Sequence, residues 1–378
     1  MAIEPGLKQV RHVVAVGSGK GGVGKSTVAV NLAIALRHGG AKVGLLDADI
    51  YGPSQPRMLG AKTAELETTP EGTIVPTVCF GVSFVSMGLL MGDHGPVVWR
   101  APMAMKVIHQ FLGKVSWGAL DYLIIDLPPG TGDVQLTLAQ QASLSGAVIV
   151  STPQDVAIDV ARKGLEMFRQ VKVPILGVIE NMSGFACPSC GHETDVFGSG
   201  GGKLLAEKTG VPFLGGIPLS PEILLGGESG VPVLIGSPDS AVARAYVELA
   251  REVEAQITQG QAATAAESPR SIEIGPDGAL AIEWGDGHRG RHRAYHLRVS
   301  CPCAHCVDEN SGRQVLDRSK VPLDISIRNV GRVGRYALGI HFSDGHNTGL
   351  YAFERLRALC ECEACVKARK SDRGAFQV

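Results

Sequence analysis

The sequence GSGKGGVGKST occupies residues 17–27 and fits the phosphate-loop pattern G-x-x-x-x-G-K-[ST]. Glycines let backbone N–H groups turn inward around an anion, and the helix that follows presents its positive N-terminus to it. The flanks agree, because HVVAVGS (12–18) predicts a buried strand and STVAVNLAIALRHGG (26–40) predicts an apolar-faced helix ending at glycine. The stretch therefore predicts an α/β domain with a phosphate site, against the alternative of a chance glycine-rich turn.

Two side chains of this loop have predicted chemical roles. Lys25 is expected to reach the β- and γ-phosphates, and Ser26 is expected to ligate Mg²⁺. Replacing Lys25 by alanine should abolish ATP hydrolysis, because the phosphates lose a fixed cation. The fold is expected to survive this change, because the lysine is expected to point into a solvent-filled loop.

Lys20 places a second lysine near the start of the loop, in the sequence GKGG. This arrangement resembles the deviant phosphate loop of the MinD, ParA, ArsA and nitrogenase iron-protein class. The resemblance implies an ATP-dependent sandwich dimer in which Lys20 reaches the nucleotide of the partner subunit. A solvated loop lysine is the alternative.

Composition limits the function classes. The 378 residues suffice for two domains, and 36 Lys and Arg against 37 Asp and Glu give a net charge of −1. No global affinity for nucleic acid or for an acidic membrane follows. No apolar run reaches a membrane-spanning length and no signal peptide opens the sequence, so we expect a cytoplasmic protein without membrane or nucleic-acid partners.

Residues 11–257 alternate candidate strands with helices, and the strands are short, β-branched and apolar. This pattern predicts a mostly parallel sheet with helices on both faces, spanning a domain at 1–257. The sequence AVARAYVELAREVEAQI (241–257) predicts a closing amphipathic helix. The predicted strands are HVVAVG, KVGLLD, SFVSM, DYLIID, GAVIVST, PILGVIEN and PFLGGIPL.

A change in residue composition and in the pattern of apolar residues predicts a second domain. Residues 258–269 are rich in Ala, Gln, Thr and Ser and predict a flexible linker. Residues 270–378 then show short alternating runs and turn sequences, which predict a small β-rich metal-binding domain with one late helix. RGRHR (289–293) is expected to be a solvated hairpin loop, or a docking patch for an acidic partner.

Three aspartates follow predicted strands. Asp47 and Asp49 follow the second strand, and Asp126 follows the strand DYLIID. Ligands bind at the carboxyl ends of strands in such sheets, so these carboxylates could orient the attacking water and the magnesium shell. For either Asp47 or Asp49 alone, capping of a helix is the alternative.

Six segments of the first domain resemble the Mrp/ApbC family of iron–sulfur carrier ATPases over nearly all of residues 8–250. They are GKGGVGKST, DADIYGPSQPRMLG, DLPPGTGD, STPQDVAIDVARKG, ENMSGFACPSCG and FGSGGG. The resemblance implies that Asp49 positions water, that Asp126 serves Mg²⁺ and that Asn181 reads the adenine edge, although Asn181 alone suits a turn. The implied phosphate contacts are Gly19, Gly21, Gly22, Gly24, Lys25, Ser26 and Thr27.

Eight of the nine cysteines form three tight clusters, and this spacing in a cytosolic chain favours metal ligation over disulfides. The remaining Cys79 is expected to be an ordinary core residue. The clusters are Cys187/Cys190, Cys301/Cys303/Cys306 and Cys360/Cys362/Cys365.

The pair Cys187 and Cys190 supplies two thiolates, whereas a tetrahedral ion or a cubane cluster takes four ligands. A two-fold dimer would provide the missing pair. The resembled family bridges a [4Fe–4S] cluster between subunits in this way. A redox dithiol and a structural zinc half-site are the alternatives.

The other two clusters share the spacing CxCxxC. LRVSCPCAHC and FSDGH resemble the N-terminal domain of γ-butyrobetaine hydroxylase, which implies a zinc ion held by Cys301, Cys303, Cys306 and His346. His305 and His341 are competing candidates.

The triad Cys360, Cys362 and Cys365 lacks a fourth ligand that the sequence identifies. It could cap a second zinc, hold a cluster or receive one in transit, and we expect an open, exchangeable site. A zinc-stabilised protein-binding module is the alternative for the whole region.

The leading expectation is an ATP-dependent homodimer that takes a labile [4Fe–4S] cluster from an upstream scaffold and hands it to apo-proteins. A positioning ATPase of the ParA/MinD class and a zinc-stabilised adaptor with a weak ATPase are the rivals.

Overall fold

The computed structural model describes residues 5–50, 52–91, 101–130, 132–187, 189–190, 192–308, 313–333 and 337–374. The chain divides into two compact units, Met1–Thr258 and Gln259–Val378, which we describe separately.

The first unit contains a central sheet with helices packed on it. Its strands are β1 Val10–Ser18, β2 Val43–Asp47, β3 Glu67–Thr68, β4 Ile74–Val75, β5 Thr77–Cys79, β6 Val82–Ser86, β7 Leu120–Asp126, β8 Gly146–Ser151, β9 Ile175–Ala186, β10 Glu193–Thr194 and β11 Phe213–Leu219. Its helices are α1 Lys25–His38, α2 Gln55–Met58, α3 Met87–Met91, α4 Ala101–Lys114, α5 Asp133–Gln141, α6 Asp155–Gln170, α7 Gly201–Thr209, α8 Pro221–Ser229, α9 Val233–Gly236 and α10 Ala241–Glu267. The last turns of α10, from Gln259 on, belong to the second unit. A 3₁₀ turn, Pro5–Leu7, precedes β1.

The sheet has the strand order β10-β9-β8-β1-β7-β2-β6-β5, and β11 also pairs with β9. The inner pairs and β11–β9 are parallel, whereas β5 and β10 join antiparallel at the ends. All seven predicted strands are present, and the predicted fold class is confirmed.

Alternation along β1 explains why helices cover both faces of the sheet. Val14 and Val16 lie in one apolar core with residues of α1 and α10, whereas Val13 and Ala15 lie in a second core with residues of α4, α5 and α6. Both faces are therefore buried, as the apolar strand sequences require.

The expected linker is wrong in one respect, because α10 continues to Glu267 and residues 258–267 are helical. The sequence TQGQAATAAE lacks large apolar residues but has four Ala and two Gln in ten residues, and both are strong helix formers. Low hydrophobicity here signals an exposed helix rather than a flexible segment.

The second unit contains two three-stranded antiparallel sheets, β12-β13-β14 and β15-β16-β17. Its elements are β12 Pro269–Ile274, β13 Leu280–Trp284, β14 Arg289–His292, α11 Ala294–Val299, a 3₁₀ turn Arg318–Lys320, β15 Ile327–Val333, β16 Ala337–Phe342, β17 Leu350–Ala352, α12 Phe353–Ala358 and α13 Glu363–Gly374.

Two expectations for this unit are corrected. The segment AYHLRV is the helix α11, and α12 and α13 follow later, so the region has more helix than the one late helix expected. The segment 289–292 is the strand β14 rather than a loop, with Arg289 and Arg291 exposed and Gly290 and His292 buried. This alternation is the period of two that a half-buried strand requires.

Candidate functional site

The loop between β1 and α1 crosses the carboxyl edge of the sheet, and two of its glycines are required there. Gly24 has a left-handed φ of 79°, and a Cβ on it would lie 2.2 Å from Nδ2 of Asn181. A Cβ on Gly19 would lie 2.3 Å from the carbonyl carbon of Val160 in α6. Neighbouring chain segments therefore fix the course of the loop on two sides.

This loop opens on a cavity of about 200 Å³. Lys20, Lys25, Ser26 and Asp49 all line it, so the structure brings these predicted residues together. Lysine side chains, loop backbone and the start of α1 fit the phosphates of a nucleotide. The full lining is Ser18, Lys20, Gly21, Gly22, Gly24, Lys25, Ser26, Thr27, Asp49, Ser54, Met58 and Pro129.

The ammonium of Lys25 is held at the wall of this cavity by Asp126. Its Nζ lies 2.5 Å from Oδ1 of Asp126, and the two side chains are 6% and 0% exposed. The second carboxylate oxygen accepts a hydrogen bond of 2.8 Å from Nε2 of Gln55 in α2. The expectation that Lys25 points into solvent is therefore wrong, and Gln55 is a site residue that the sequence did not reveal.

Strand register explains why further polar groups meet there. Asp126, Asp47 and Ser86 are direct neighbours across β7, β2 and β6. Asp47 is fully buried and accepts hydrogen bonds from Oγ of Ser86 (2.9 Å) and the backbone N–H of Asp49 (3.2 Å). Burial, and next the charge of Asp126, raise the pKa of Asp47 from 3.8 to about 8.

The two aspartates after β2 thus have different positions. Asp47 is shut off from water and orders the chain around it, whereas Asp49 is 9% exposed and lines the cavity. Asp49 also accepts a hydrogen bond from the backbone N–H of Gly52 at 3.3 Å. Of the two, Asp49 is the one whose place suits contact with a water molecule beside a phosphate.

A larger cavity of about 500 Å³ adjoins the first one, since Gly24 and Thr27 line both. Met182, Pro218, Leu219 and Ile223 give it apolar walls. An apolar slot beside a phosphate site fits a nucleotide base.

Asn181 lines this larger cavity and also supports the loop. Its side chain is 5% exposed, and Nδ2 donates to the carbonyl of Val23 at 2.9 Å. Because the amide N–H is used on the loop, the carboxamide oxygen is the atom suited to accept from a base. Asn181 therefore connects β9 to the phosphate loop.

The strand β9 that carries Asn181 ends one residue before Cys187. The backbone N–H of Cys187 donates to the carbonyl of His192 at 2.9 Å, and β10 returns antiparallel to β9. Cys187 is half-buried and Cys190 is exposed. The backbone N–H of Ser189, followed by that of Cys190, holds the pKa of the Cys187 thiol below its ordinary value. This accessible thiol pair can serve as two metal ligands.

Glu180 fixes the other end of the cysteine segment and was missed by the sequence analysis. Its buried carboxylate accepts hydrogen bonds from the backbone N–H groups of Gly200 (3.0 Å) and Gly202 (2.6 Å) and from Oγ of Ser183 (2.5 Å). These contacts fasten the start of α7. The glutamate beside the asparagine in ENMS, together with the glycine-rich FGSGGG, was the available signal.

The second unit contains two groups of metal-ligating side chains, each with ligand atoms within 4.8 Å of one another. In the first, Nε2 of His346 lies 3.2 Å from Sγ of Cys301, 3.5 Å from Cys303 and 3.9 Å from Cys306. The four predicted residues are thus brought together. The competing candidates His305 and His341 are outside this group.

The second group supplies the ligand that the sequence did not identify. Nε2 of His288 lies 3.3 Å from Sγ of Cys360, 3.8 Å from Cys362 and 3.6 Å from Cys365. The expectation of an open triad is therefore corrected, because three thiols and one imidazole form a complete four-ligand set. The signal was the sequence DGH, which occurs at 286–288 as well as at 344–346.

Known proteins resemble both units. Residues 9–254 match the family described as the NUBPL iron-transfer P-loop NTPase. The chain belongs to this family. Residues 275–357 match the N-terminal domain of γ-butyrobetaine hydroxylase-like proteins. Among the described helices, none combines the length and apolar character needed to cross a membrane.

Individual relatives of this NTPase family align over most of the first unit. Proteins named iron–sulfur cluster carrier protein from Synechocystis and from Escherichia coli K12 are each 50% identical, over 66% and 67% of this chain and 72% and 69% of their own. A solved nucleotide-binding protein from Archaeoglobus fulgidus, in complex with ADP, is 41% identical with a TM-score of 0.54. The match covers 60% of this chain and 88% of that one.

The first prediction for the NTPase site concerns the buried ion pair. Lys25→Ala should lower the free energy of unfolding by about 3–5 kcal/mol, because it leaves the Asp126 carboxylate buried without its partner. The double variant Lys25→Ala with Asp126→Asn should recover most of this loss, although it hydrolyses no ATP. Urea denaturation of the full chain measures both.

Lys20→Ala is the matched control, because it removes a half-exposed lysine from the same loop and should leave stability unchanged. A Lys25→Ala variant that unfolds at the wild-type urea concentration would show that the pair does not stabilise the site.

The second prediction concerns the buried carboxyl of Asp47. Its folded pKa of about 8 exceeds its ordinary value of 3.8, so between these pH values the folded chain keeps a proton that the unfolded chain releases. The contribution of Asp47 to stability therefore falls as the pH rises through this window. Asp47→Asn removes this dependence, so the variant should gain stability relative to wild type between about pH 5 and about pH 8. A stability difference that is constant across that range, measured by urea denaturation, would contradict the assignment.

Proposed function

We propose that this chain is an ATP-hydrolysing homodimer that carries a [4Fe–4S] cluster between its subunits and passes it to apo-proteins. The observation that carries the proposal is the position of the thiol pair Cys187 and Cys190. It lies in an accessible hairpin at the end of the strand whose Asn181 forms a wall of the nucleotide cavity. The iron–sulfur carrier relatives support the same conclusion.

The nucleotide half of the proposal uses residues of the two adjoining cavities. ATP phosphates would lie against the loop backbone and the ammonium of Lys25, and Ser26 with nearby Asp126 would hold Mg²⁺, which neutralises phosphate charge when bound. Asp49 would position the attacking water. Lys20 lines the same cavity and would contact the nucleotide of the partner subunit.

In the proposed complex with ATP, the Lys25 ammonium would interact with Asp126 and with a phosphate at the same time. The ammonium already lies 2.5 Å from Asp126, so it approaches a phosphate from a fixed place instead of from solvent. This preorganisation lowers the cost of ordering the side chain when charge develops on the phosphate. Gln55 keeps the second oxygen of Asp126 satisfied at the same time.

The cargo site is half of a cluster site in each subunit. A [4Fe–4S] cluster takes four thiolates, and one chain supplies two in this hairpin. A two-fold axis near Cys187 and Cys190 would bring the second pair into place. The exposure of Cys190 suits transfer, because an incoming thiol can reach the cluster.

Communication between the two sites would run along β9. Asn181 donates a hydrogen bond to the phosphate loop, and Glu180 on the same strand accepts hydrogen bonds from the start of α7, beyond the cysteine hairpin. A shift of the loop on ATP binding would therefore act on both ends of the segment that holds the cluster. Slow hydrolysis would then time the opening of the dimer.

For the second unit, we propose a zinc ion at Cys301, Cys303, Cys306 and His346. Around a tetrahedral zinc with Zn–S near 2.3 Å and Zn–N near 2.0–2.1 Å, sulfur and nitrogen ligands are separated by about 3.5 Å. The distances of 3.2–3.9 Å from His346 Nε2 fit this requirement. The unit would then serve as a metal-stabilised surface for client proteins or an upstream scaffold.

The test removes the proposed cargo site. After anaerobic reconstitution of the full chain with iron and sulfide, the wild type should hold about four acid-labile sulfides per dimer. Cys187→Ala with Cys190→Ala should hold almost none and should still bind ATP. Acid-labile sulfide distinguishes a cluster from iron bound at the other cysteine groups.

Cys79→Ala is the matched control, because Cys79 is a lone, half-buried cysteine on β5 and should not affect sulfide content. A double variant that retains wild-type sulfide would refute the assignment of the cluster to Cys187 and Cys190.

A further inference from the structure

A sequence repeat runs through the second unit. The pattern A-L-x-I-x-[WF]-x-D-G-H occurs at 279–288 and again at 337–346. The pattern L-R-x-x-C-x-C-x-x-C follows each copy, at 297–306 and at 356–365. Six identical positions and one shared aromatic position within ten residues, followed in both cases by the same cysteine spacing, indicate two related halves.

The two halves also fold alike. In each, two antiparallel strands precede the D-G-H turn, and a third strand, a short helix and the cysteines follow. The turns match in detail, because the backbone N–H of Trp284 donates to the carbonyl of His288 at 2.9 Å, and that of Phe342 donates to His346 at 2.9 Å. The central glycine of each turn has a φ of 84°.

The halves exchange their metal ligands. His288 of the first half lies among the cysteines of the second, and His346 of the second half lies among the cysteines of the first. Each half alone therefore offers three thiols to one site and one imidazole to the other.

Ion pairs follow the same exchange. Asp286 of the first turn pairs with Arg357 of α12 (2.5 Å), and Asp344 of the second turn pairs with Arg298 of α11 (2.7 Å). Each arginine stands three residues before the first cysteine of its cluster. Each aspartate also accepts from the backbone N–H of its own histidine, at 2.9 and 3.0 Å, which fixes the turn that presents the ligand.

We propose that His288, Cys360, Cys362 and Cys365 form a second closed zinc site, and that the two zinc ions lock the exchanged halves together. This site lies at the cysteines beyond residue 357, where the match to the hydroxylase-like domain ends.

Ligand chemistry and spacing select a single zinc ion. Thiolate and imidazole are ligands of zinc, whereas Mg²⁺ and Ca²⁺ take oxygen. The separations of 3.3–3.8 Å between His288 Nε2 and the thiols match the value of about 3.5 Å around tetrahedral zinc. A cubane binds each ligand at a different iron and so needs ligand atoms farther apart than the 4.8 Å limit that holds here.

In each of the two sites, the first cysteine is buried in the interior of the unit. Cys301 and Cys360 are both fully buried. A Cβ on Gly349 would lie 2.8 Å from Sγ of Cys301, whereas a Cβ on Gly290 would lie 2.9 Å from Nε1 of Trp284 and at the ordinary contact distance of 3.6 Å from Sγ of Cys360. Four protein ligands fill the four positions around a tetrahedral ion, so no position is left for a transferring group, and in this proposal the second triad is structural and does not receive clusters.

Zinc content of the full chain carrying Cys187→Ala and Cys190→Ala tests the proposal, because this background removes the accessible thiol pair as a further zinc site. After purification with zinc and dialysis against a weak chelator, this background should hold about two zinc ions per chain, and His288→Ala and His346→Ala in it should each hold about one. With both histidine substitutions it should hold none. His305→Ala is the matched control and should retain two zinc ions per chain. His288→Cys should restore the second zinc ion, because a thiolate is an equivalent ligand.

Cobalt substitution gives an independent reading. The tetrahedral thiolate bands of the cobalt protein should lose about half their intensity in His288→Ala and recover in His288→Cys. One zinc ion per chain in the Cys187→Ala, Cys190→Ala background, or unchanged zinc and cobalt bands after His288→Ala in it, would overturn the proposal. So would acid-labile sulfide that reconstitutes in the Cys187→Ala, Cys190→Ala background and disappears on His288→Ala. These readings do not depend on ATP hydrolysis or on the cluster at Cys187.

Discussion

The ion pair between Lys25 and Asp126 is the interaction on which the nucleotide site depends. It joins the first residue of α1 to the last residue of β7, and both partners are almost completely removed from water. An unpaired carboxylate would be unstable in that place, so the loop, α2 through Gln55, and the register of β7 with β2 must come together for the charge to be satisfied. The edge of the sheet that carries the phosphate loop and the fold are therefore stabilised by the same contacts.

The strand β9 extends this constraint to the cysteines. It is pinned to the phosphate loop at Asn181 and to the start of α7 at Glu180, and it ends beside Cys187. Because the thiol pair follows directly after the strand that carries Asn181, the proposed coupling of the two sites needs only a small displacement of β9 and no long-range relay. The second unit has an apolar core of its own, which includes Trp284, Phe342 and Tyr351. We propose that the exchanged metal ligands stabilise this small unit further, in addition to its Arg–Asp ion pairs.

Local patterns in the sequence were sufficient for the fold class and the phosphate loop, whereas His346 of the first four-ligand group was predicted only through the resemblance to the hydroxylase N-terminal domain. Glycine spacing, apolar strands and cysteine spacing each encode a short-range geometry. What the sequence analysis missed depends on contacts between distant segments. The burial of Lys25 follows from Asp126, 101 positions away, and His288 is separated from Cys360 by 72. The helix at 258–267 was not predicted, because the lack of large apolar residues indicated a linker although the Ala and Gln residues of the segment favour a helix.

The measurement that tests the account most directly is the rate at which a chelator removes iron from the reconstituted dimer, with and without a non-hydrolysable ATP analogue. Closure of the dimer on the nucleotide should slow this loss by a factor within the range of about 5–150 that coupled sites show. Glu180→Gln should abolish most of the difference while retaining nucleotide binding, because it weakens the contacts to Gly200 and Gly202. Equal rates of iron loss with and without the nucleotide in the wild type would contradict the coupling of the two sites along β9.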